Sequence, residues 1–310
     1  MNQSICYLIL CHNNPEHVLK IIETLNADDA FFAIHVDKKS TVDFSCICEN
    51  EHVRFVYNRV STKWGDISVI DAVLVLSEFG ARTFPNASHY VLLSGADFPV
   101  KSHAYIRDYL ARNSNTNYIE GIKLPSESSV WLEGGRRRIE AYVVPINSHN
   151  NATIEPRSFS LGNFRQLIKI ALLRPRNLEK AFKVFFSYPK RIIPYGLNIY
   201  AGEMWWILTN STLKIILEWN RTHVEYHKFQ EDCQIPDEMY INTLVWSFSS
   251  NVSSDTKRYV SWINKTDQSP RWLTSPGDKE LVEELVNNPE TLFVRKINDS
   301  ELTDYIVSKL

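Results

Sequence analysis

The sequence predicts an α/β protein in which helices flank one mixed, mostly parallel sheet. Over the first hundred residues, short apolar runs typical of buried strands alternate with stretches of helical period. Such alternation is typical of a mainly parallel sheet with helices on its faces. A chain of 310 residues is long enough for one large domain of this class.

The first strands are predicted from apolar runs at 5–11, 30–36, 53–57 and 90–93. Apolar residues at helical spacing predict helices over 16–25 and about 68–79. Three of the strands end in polar loops: His12-Asn13-Asn14, His35-Val36-Asp37-Lys38-Lys39 and Ser94-Gly95-Ala96-Asp97. Because ligands gather at the carboxyl ends of parallel strands, we expect these loops to line one crevice.

The segment 144–195 differs in character from the rest of the chain. Between 157 and 191 it carries one acid, Glu179, and nine basic residues interleaved with phenylalanine, leucine and isoleucine. We predict a basic helical insertion around 157–191. One interpretation is a basic amphipathic segment on an anionic membrane surface. The alternative is a helical excursion that packs on the domain and turns its basic face to water.

The remaining elements follow the insertion. They are strands at 197–200 and 292–294, helices at about 211–219 and 279–285, and a helix that opens at Pro236. A proline at a helix start followed by two carboxylates, Asp237 and Glu238, is an ordinary helix beginning.

Composition narrows the function. The net charge of −2 gives no electrostatic support for binding nucleic acid. The apolar run Ile5 to Cys11 lacks a basic region before it and is too short to span a membrane, so we expect a cytoplasmic protein.

The number of cysteines is odd, and Cys46-Ile47-Cys48 does not match a zinc or redox motif. We therefore expect free thiols in a reducing compartment.

Common catalytic signatures are missing from the sequence. It contains no Walker-type phosphate loop, no Gly-x-Ser-x-Gly elbow, no His-Glu-x-x-His motif and no zinc-type cysteine pairs. It also lacks an Asp-x-Asp pair of the kind that holds a divalent cation on a sugar nucleotide. Without a metal, a diphosphate leaving group needs cationic side chains to take its charge.

Four segments, taken in order, carry a family resemblance. They are Ile34-His35-Val36-Asp37-Lys38-Lys39-Ser40, Leu92-Leu93-Ser94-Gly95-Ala96-Asp97-Phe98-Pro99-Val100-Lys101, Gly202-Glu203-Met204-Trp205-Trp206-Ile207-Leu208-Thr209 and Pro236-Asp237-Glu238. Their order and spacing resemble glycosyltransferase family 14, which includes the core-2/I-branching N-acetylglucosaminyltransferases and the peptide O-xylosyltransferases. Each segment alone is a weak signal, whereas the ordered set spans most of the chain.

The resemblance implies a single GT-A-like domain over 1–310. Residues 1–120 would form the nucleotide-binding half, 195–310 the acceptor and catalytic half, and 144–195 the insertion. The reaction implied is inverting and needs no metal or other cofactor. It moves a sugar, N-acetylglucosamine or xylose-like, from a UDP-sugar donor to a hydroxyl group of a glycan acceptor.

The resemblance also assigns site residues. Glu238 falls on the family's general base. Arg271 and Lys296 match the cations on the diphosphate, with Arg295 as a substitute for Lys296. Val36, Asp37 and Asp97, which lie within the motifs, and His12, at the end of the first predicted strand, are assigned to the nucleotide, and Trp262 and Glu203 to the acceptor. Arg137 is assigned apart from the resemblance, because arginine clusters bind anions, and it would contact the acceptor or the nucleotide. The flat ring of Trp262 would stack on the C–H face of a sugar.

A structural role is the alternative interpretation for several residues of these motifs and of the arginine cluster. Glu238 would otherwise be a favourable carboxylate in a first helical turn, and Asp97 a loop cap. His35 and the pair Trp205-Trp206 would be core residues. Arg136-Arg137-Arg138 would be a solvated cluster.

The sequence departs from the family in two ways, one that bears on the type of member and one that bears on the acceptor. Animal members carry an N-terminal anchor and many disulfides, and their absence here implies a bacterial-type form. Asn264 stands where an acceptor-contacting tyrosine would be expected, which leaves the linkage open.

We expect a role in bacterial surface polysaccharide synthesis on a glycan or lipid-linked glycan, with 157–191 holding the protein at the inner face of the membrane. The alternatives are an inactive carbohydrate- or nucleotide-binding protein and a magnesium-dependent nucleotidyltransferase.

Overall fold

The structure is a computed structural model that describes residues 3–129, 131–147, 151–264 and 269–310. Its strands are β1 (Ile5–Cys11), β2 (Ala30–Val36), β3 (Val53–Phe55), β4 (His89–Ser94), β5 (Asp97–Pro99), β6 (Asn117–Ile119), β7 (Ile122–Lys123), β8 (Tyr142–Pro145), β9 (Asn151–Ile154), β10 (Tyr200–Ala201), β11 (Trp206–Thr209), β12 (Val252–Ser253), β13 (Arg258–Val260) and β14 (Phe293–Arg295). Its α-helices are α1 (Pro15–Leu25), α2 (Ser68–Thr83), α3 (His103–Arg112), α4 (Arg136–Glu140), α5 (Leu161–Leu173), α6 (Leu178–Ser187), α7 (Asn210–Thr222), α8 (Val224–Glu231), α9 (Tyr240–Phe248), α10 (Lys279–Asn287) and α11 (Ser300–Val307).

The main sheet has seven strands in the order β12-β6-β11-β4-β1-β2-β3. β11 runs antiparallel to its neighbours β4 and β6, and the other neighbouring strands are parallel. The predicted α/β class with a mostly parallel, mixed sheet is therefore confirmed.

The interior strand β1, between β4 and β2, is buried on both faces, as expected of a parallel strand between two layers of helices. Ile5, Tyr7 and Ile9 belong to the core that includes α1, whereas Cys6 and Leu8 belong to the core that includes α2. This division follows the two-residue period of a strand. The apolar runs that predicted the first strands are thus the middle layer of the fold.

A second, three-stranded sheet has the order β13-β14-β5. Within it, Arg295 on β14 lies opposite both Asp97 on β5 and Val260 on β13. The sheet brings the segment after β4 into contact with two segments from the last sixty residues of the chain. It therefore positions charged side chains that lie far apart in the sequence.

The predicted insertion contains α5 and α6, packed against the hairpin of β8 and β9. It has a small apolar core of its own: Val144, Ile146, Ala152, Ile154, Ile170, Ala181, Val184 and Phe185. The hairpin was not predicted from the sequence. The division of the rest into halves at 1–120 and 195–310 stays a prediction.

Two predicted elements differ in detail from the structure. Pro236–Glu238 form a separate 3-10 turn, and α9 begins only at Tyr240. The reason is local, since Ile235 is left-handed with φ 54° and Met239 is non-helical with φ −135°. The strand predicted at 197–200 is reduced to β10. In the part of the chain that the structure describes, no helix combines the length and apolar character needed to cross a bilayer.

Candidate active site

The three polar loops that the sequence predicts at one edge of the sheet meet there. The hydroxyl of Ser40 donates to the carbonyl of His12 at 2.6 Å. The backbone N–H of Asp37 donates to Cys11 at 2.8 Å, and that of Gly95 to Leu10 at 2.9 Å. These bonds join the loops after β1, β2 and β4, and the side chain of His12 is exposed beside them.

Asp37 shapes this edge through its carboxylate. The carboxylate accepts the N–H of Lys39 at 2.7 Å, the N–H of Thr62 at 3.1 Å and the hydroxyl of Thr62. Burial alone would raise the pKa of Asp37, but these hydrogen bonds outweigh it and hold the pKa below its ordinary value. Asp37 is thus an ionised anchor that fixes the loop between β2 and the segment around Thr62.

A groove of about 650 Å³ lies beside this anchor. Its lining includes Val36, Lys38, Phe44, Tyr57 and Arg59. Arg59 donates to the carbonyl of Lys38 at 3.0 Å, which ties the segment after β3 to the loop after β2. Tyr57 and Arg59 are not among the residues predicted from the sequence. The available signal was their position at the end of the predicted strand 53–57 and just beyond it, since polar groups at strand ends are the expected ligand contacts.

Asp97 lies at the centre of a buried charge cluster. Its Oδ1 is 3.1 Å from Nε of Arg258 and 3.5 Å from Nη1 of Arg295. Its other oxygen accepts the N–H of Ser94. Because the Asp97 carboxylate is fully buried, its function in this geometry is to hold two guanidinium groups rather than to touch a ligand itself.

Both guanidinium groups also lie against the ring of Trp205. The distance from the ring centroid is 4.8 Å for Arg258 and 4.3 Å for Arg295. Such cation–π contacts stabilise charges that are removed from water. Trp205 is therefore a core residue, as its structural interpretation proposes, and at the same time a wall of the cation cluster.

Lys296 extends the cation cluster towards the surface. Its ammonium donates to the hydroxyl of Ser269 at 2.6 Å. Burial, with a further contribution from the charge of Arg295, lowers the pKa of Lys296. A cation destabilised in this way is well suited to bind an anion. The structure thus places Lys296 and Arg295 side by side, with Arg295 already engaged by Asp97.

The segment that carries Arg271 pairs with the segment that carries Lys296: the N–H of Leu273, two residues after Arg271, donates to the carbonyl of Lys296 at 2.8 Å. The guanidinium of Arg271 is already engaged: Nη1 donates to Asp278 at 2.8 Å, Nη2 donates to the second oxygen of Asp278, and Nε donates to Ser261 at 2.8 Å. A direct bond to phosphate would therefore use the remaining N–H groups of a side chain that Asp278 holds in place.

Glu238 forms an ion pair with Arg138. Nη1 of Arg138 is 2.5 Å from Oε2 of Glu238. The side chain of Arg138 is 10% exposed and lies 3.6 Å over the ring of Trp131, whereas the side chain of Glu238 is 32% exposed. The carboxylate is thus held on one side and open to solvent on another.

Glu203 and Asp237 add two carboxyl groups with raised pKa values near Glu238. Burial, supported by the charges of Glu120 and Glu238, raises the pKa of Glu203 to about 7 against the opposing effect of Arg258 and Arg295. Burial and the charge of Glu238 raise the pKa of Asp237 to about 7. Carboxyl groups with raised pKa values are typical of catalytic sites, although structural clusters show them too.

The segment 202–205 connects this carboxylate cluster with the cation cluster. The N–H of Gly202 donates to the carbonyl of Glu238 at 2.9 Å, and Glu203 feels the charges of Glu238, Arg258 and Arg295. A Cβ atom at position 202 would overlap Glu120, so the close packing of this segment against Glu120 requires glycine. One short segment therefore touches Glu238 at one end and, through Trp205, the arginines at the other.

Two predicted acceptor residues have different surroundings. Trp262 is exposed and directly follows Ser261, which binds Arg271. Arg137, in contrast, is buried and bonds Glu155 at 2.7 Å and the carbonyl of Thr153 at 2.7 Å. Its guanidinium is directed into the insertion because successive residues of α4 point in different directions. Arg138, rather than Arg137, reaches Glu238.

Among the described residues, no three histidine, cysteine, aspartate or glutamate side chains are arranged to hold a metal ion. All five cysteines are free thiols.

A model of the Core-2/I-Branching enzyme family matches residues 5–161 and 165–287, which is most of the chain. Xylosyltransferase 2 of Mus musculus is 21% identical over 277 residues, which are 84% of this chain and 27% of that protein. Xylosyltransferase oxt of Drosophila melanogaster is 28% identical over 121 residues, which are 38% of this chain and 14% of that protein. The chain thus spans about a quarter or less of the length of these relatives.

Two solved structures align with most of the chain at low similarity. A mannose-1-phosphate geranyltransferase from Thermus thermophilus aligns with 80% of this chain and 69% of its own, at 10% identity and a TM-score of 0.30. A putative glucose-1-phosphate thymidylyltransferase from Bacillus anthracis, in complex with a sucrose, aligns with 81% of this chain and 85% of its own, at 12% identity and a TM-score of 0.31.

Proposed function

The chain belongs to the core-2/I-branching enzyme family, and on that premise we propose that it is a glycosyltransferase that moves a sugar from a nucleotide-sugar donor to a hydroxyl group of a glycan acceptor. The observation that carries this proposal is the short segment 202–205, which joins an accessible carboxylate, Glu238, to a buried cluster of cations. A base on one side and a receptor for negative charge on the other are what such a transfer needs.

In the proposed reaction, the acceptor oxygen attacks the anomeric carbon from the face opposite the leaving group. The new carbon–oxygen bond forms as the bond to the diphosphate breaks, so the anomeric configuration inverts. Glu238 takes the proton of the acceptor hydroxyl, and the nucleoside diphosphate leaves with the bonding electrons. Arg138 fixes the orientation of Glu238 through the 2.5 Å ion pair, which supports this assignment.

The negative charge on the departing diphosphate would be taken by Lys296 and Arg271, with Arg295 behind them. Support comes from the backbone bonds that join the segments carrying these three cations, from Ser261 to Arg295, from Arg271 to Ser261 and from Leu273 to Lys296. Arg295 is held by Asp97 and Trp205, and its charge disfavours the protonation of Lys296 in the absence of an anion. The same cations are the reason for proposing a transfer that does not depend on a metal ion.

We assign the nucleoside to the groove beside Asp37. A groove at the carboxyl end of β2, with an exposed tyrosine and an arginine at its wall, suits a flat base and a ribose. The donor proposed is UDP-linked, with N-acetylglucosamine or a xylose-like sugar. Asp97 and Asp37 would act here by shaping the loops that line the site.

The acceptor proposed is a glycan or lipid-linked glycan of bacterial surface polysaccharide synthesis, reached at the inner face of the membrane through the insertion. The odd number of cysteines, without a zinc or redox motif, is the reason for proposing a reducing, cytoplasmic location.

A Glu238→Gln variant tests the role of the base. We expect turnover to fall by about 10² to 10⁴-fold, the usual contribution of general base catalysis, while affinity for UDP is retained. Glu283→Gln, at an exposed position on α10, is the matched control. A protein that only binds carbohydrate or nucleotide would lose nothing measurable with either variant, and full activity of Glu238→Gln would refute the assignment.

A thermal-shift series with nucleotide sugars, with and without EDTA, tests donor and metal together. We expect one UDP-sugar to raise the melting temperature equally in both conditions. A shift that requires magnesium would favour a nucleotidyltransferase. No shift with any nucleotide would overturn the proposed function.

A further inference from the structure

The outer face of α5 carries a row of apolar side chains although it is not part of the core. On α5, Asn163 and Ile170 face inward, whereas Leu161, Phe164, Ile168 and Leu172 recur on the opposite side at helical spacing. Leu161 is 76% and Leu172 77% exposed. A surface helix of a globular domain is normally polar on its outer side, so this helix is apolar on both sides.

Neighbouring side chains enlarge the same surface. Phe159, just before α5, is 91% exposed, and Phe182 and Phe186 on α6 are exposed as well. The rings of Phe182 and Phe186 lie 6.3 Å apart. We call the set of Phe159, Leu161, Phe164, Ile168, Leu172, Phe182 and Phe186 the docking surface. A cluster of this kind marks an interaction site rather than scattered surface residues.

The charged side chains around the docking surface indicate what it binds. The exposed cations of this region are Arg157, Arg165, Arg176, Lys180, Lys183 and Lys190, and its exposed acid is Glu179. A second copy of the chain placed against this surface would bring like charges together, which opposes dimerisation. Apolar side chains bordered by lysine and arginine match the interface of a bilayer that contains anionic lipids.

We propose that α5 and α6 bind the surface of an anionic lipid bilayer, with the docking surface inserted at the level of the headgroups. The inference extends the proposed function by assigning the residues and the lipid chemistry of this contact. Binding to the bilayer does not depend on catalysis. Only the link between this contact and a lipid-anchored acceptor rests on the proposed function.

The docking helices are tied to the element that holds Glu238. Asn163, in the first turn of α5, accepts a bond from Arg137 at 3.1 Å, and Arg137 is paired with Glu155 at 2.7 Å. The next residue, Arg138, holds Glu238. Arg137, which binds the inner side of α5, and Arg138, which holds Glu238, are thus consecutive residues of α4, so the insertion that carries the docking surface is linked directly to the helix that orients the base.

Cosedimentation of the full chain with vesicles tests the proposal. The vesicles are phosphatidylcholine alone or phosphatidylcholine mixed with phosphatidylglycerol. We expect binding to the mixed vesicles, weakened by salt. The variant Leu161→Ser/Phe164→Ser/Leu172→Ser should lower the partition coefficient at least about tenfold, since each side chain loses an apolar contact. Reversal of Arg165, Lys180 and Lys183 to Glu should lower it about fivefold or more per residue.

Matched controls separate this result from misfolding. Ile215→Ser/Val224→Ser removes exposed apolar side chains elsewhere, on α7 and α8, and Lys214→Glu reverses an exposed charge there. These variants should sediment as the wild type does, and all variants should keep the wild-type circular dichroism and the thermal shift with UDP.

Several results would overturn the inference: equal sedimentation of the wild type and the docking-surface variants, binding to neutral vesicles only, or a concentration-dependent dimer that the Leu161, Phe164 and Leu172 substitutions dissolve. The outcome is independent of the proposed function, because Glu238→Gln should bind vesicles as the wild type does. Loss of vesicle binding with intact UDP binding contradicts only this inference, whereas vesicle binding without any response to nucleotides contradicts only the transferase.

Discussion

Arg138 and Glu238 lie 100 residues apart in the chain and are joined by an ion pair of 2.5 Å between Nη1 and Oε2. The stacking of Arg138 on Trp131 makes this pair part of a fixed structure rather than a mobile surface contact. Glu238 itself stays accessible from solvent. The pair therefore supplies what a general base requires, namely a carboxylate that is both oriented and reachable.

Arg138→Ala should reduce turnover by about 10 to 100-fold and leave the KM for the nucleotide sugar nearly unchanged. The reason is that Glu238 loses the contact that orients it, while the nucleotide groove is untouched. Steady-state kinetics with both substrates varied would measure this split. Arg221→Ala on α7 removes an exposed arginine and is the control. A rise in KM without a fall in kcat would contradict the positioning role of Arg138.

Asp97→Asn should lower the free energy of unfolding by about 3 kcal/mol. The substitution leaves Arg258 and Arg295 without their buried counter-charge, and breaking a buried pair from one side is costly. Urea unfolding of the variant and of Asp108→Asn, at an exposed position on α3, would measure the difference. If Asp97→Asn is as stable as the control, the carboxylate does not neutralise the arginines.

The raised pKa of Glu203 predicts a pH dependence of stability. The pKa of Glu203 is about 7 in the folded protein, against an ordinary value of 4.5. Between pH 4.5 and 7, the folded protein therefore binds a proton on Glu203 more tightly than the unfolded chain does. The group's favourable contribution is therefore lost as pH rises through that window. From pH 5 to 7.5, the wild type should lose about 2 kcal/mol relative to Glu203→Gln.

Urea unfolding at the two pH values tests this sign. Glu283→Gln, at an exposed carboxylate, should keep the pH dependence of the wild type, and Asp237→Asn should behave as Glu203→Gln does because the pKa of Asp237 is also about 7. A Glu203→Gln variant that keeps the wild-type slope would show that Glu203 is ionised without penalty in the folded protein.

Lys296→Ala and Arg271→Ala should each weaken the binding of UDP by about 10 to 100-fold and leave the binding of uridine unchanged. Hydrogen bonds to charged groups contribute about 1.5–3 kcal/mol, and uridine has no phosphate to lose. Calorimetric titration of both ligands would test this, with Lys214→Ala as the control. Equal weakening of uridine and UDP would place these cations outside the diphosphate site.

Much of the fold could be predicted from sequence because its signals are local. The four apolar runs at the start of the chain became β1 to β4, and the helical spacing after Glu16 and Ser68 became α1 and α2. Strand and helix periods are properties of ten or fifteen consecutive residues. The helix predicted at Pro236 was less accurate, since the left-handed conformation of Ile235 and the irregular Met239 give no such periodic signal.

The site could be predicted only in part. The family resemblance named Glu238, Lys296 and the Asp37 loop as candidates, which stay predictions, and it could not select Arg138 from three successive arginines as the partner of Glu238. That selection depends on which residue of α4 faces the turn at Glu238. Likewise, the bonds of Arg271 to Asp278 and of Asp97 to Arg258 are set by the register of the small sheet and by a neighbouring loop.

The sequence by itself determined the α/β class, the family and the basic, apolar character of the insertion, because composition, period and motif order are read along the chain. Only the tertiary structure decided which charges meet and which apolar side chains stay outside. Leu172 and Ile170 are both apolar residues of α5, yet Ile170 is in the core and Leu172 is exposed. The direction in which each side chain points relative to distant elements separates them, and that direction is fixed only when the chain folds.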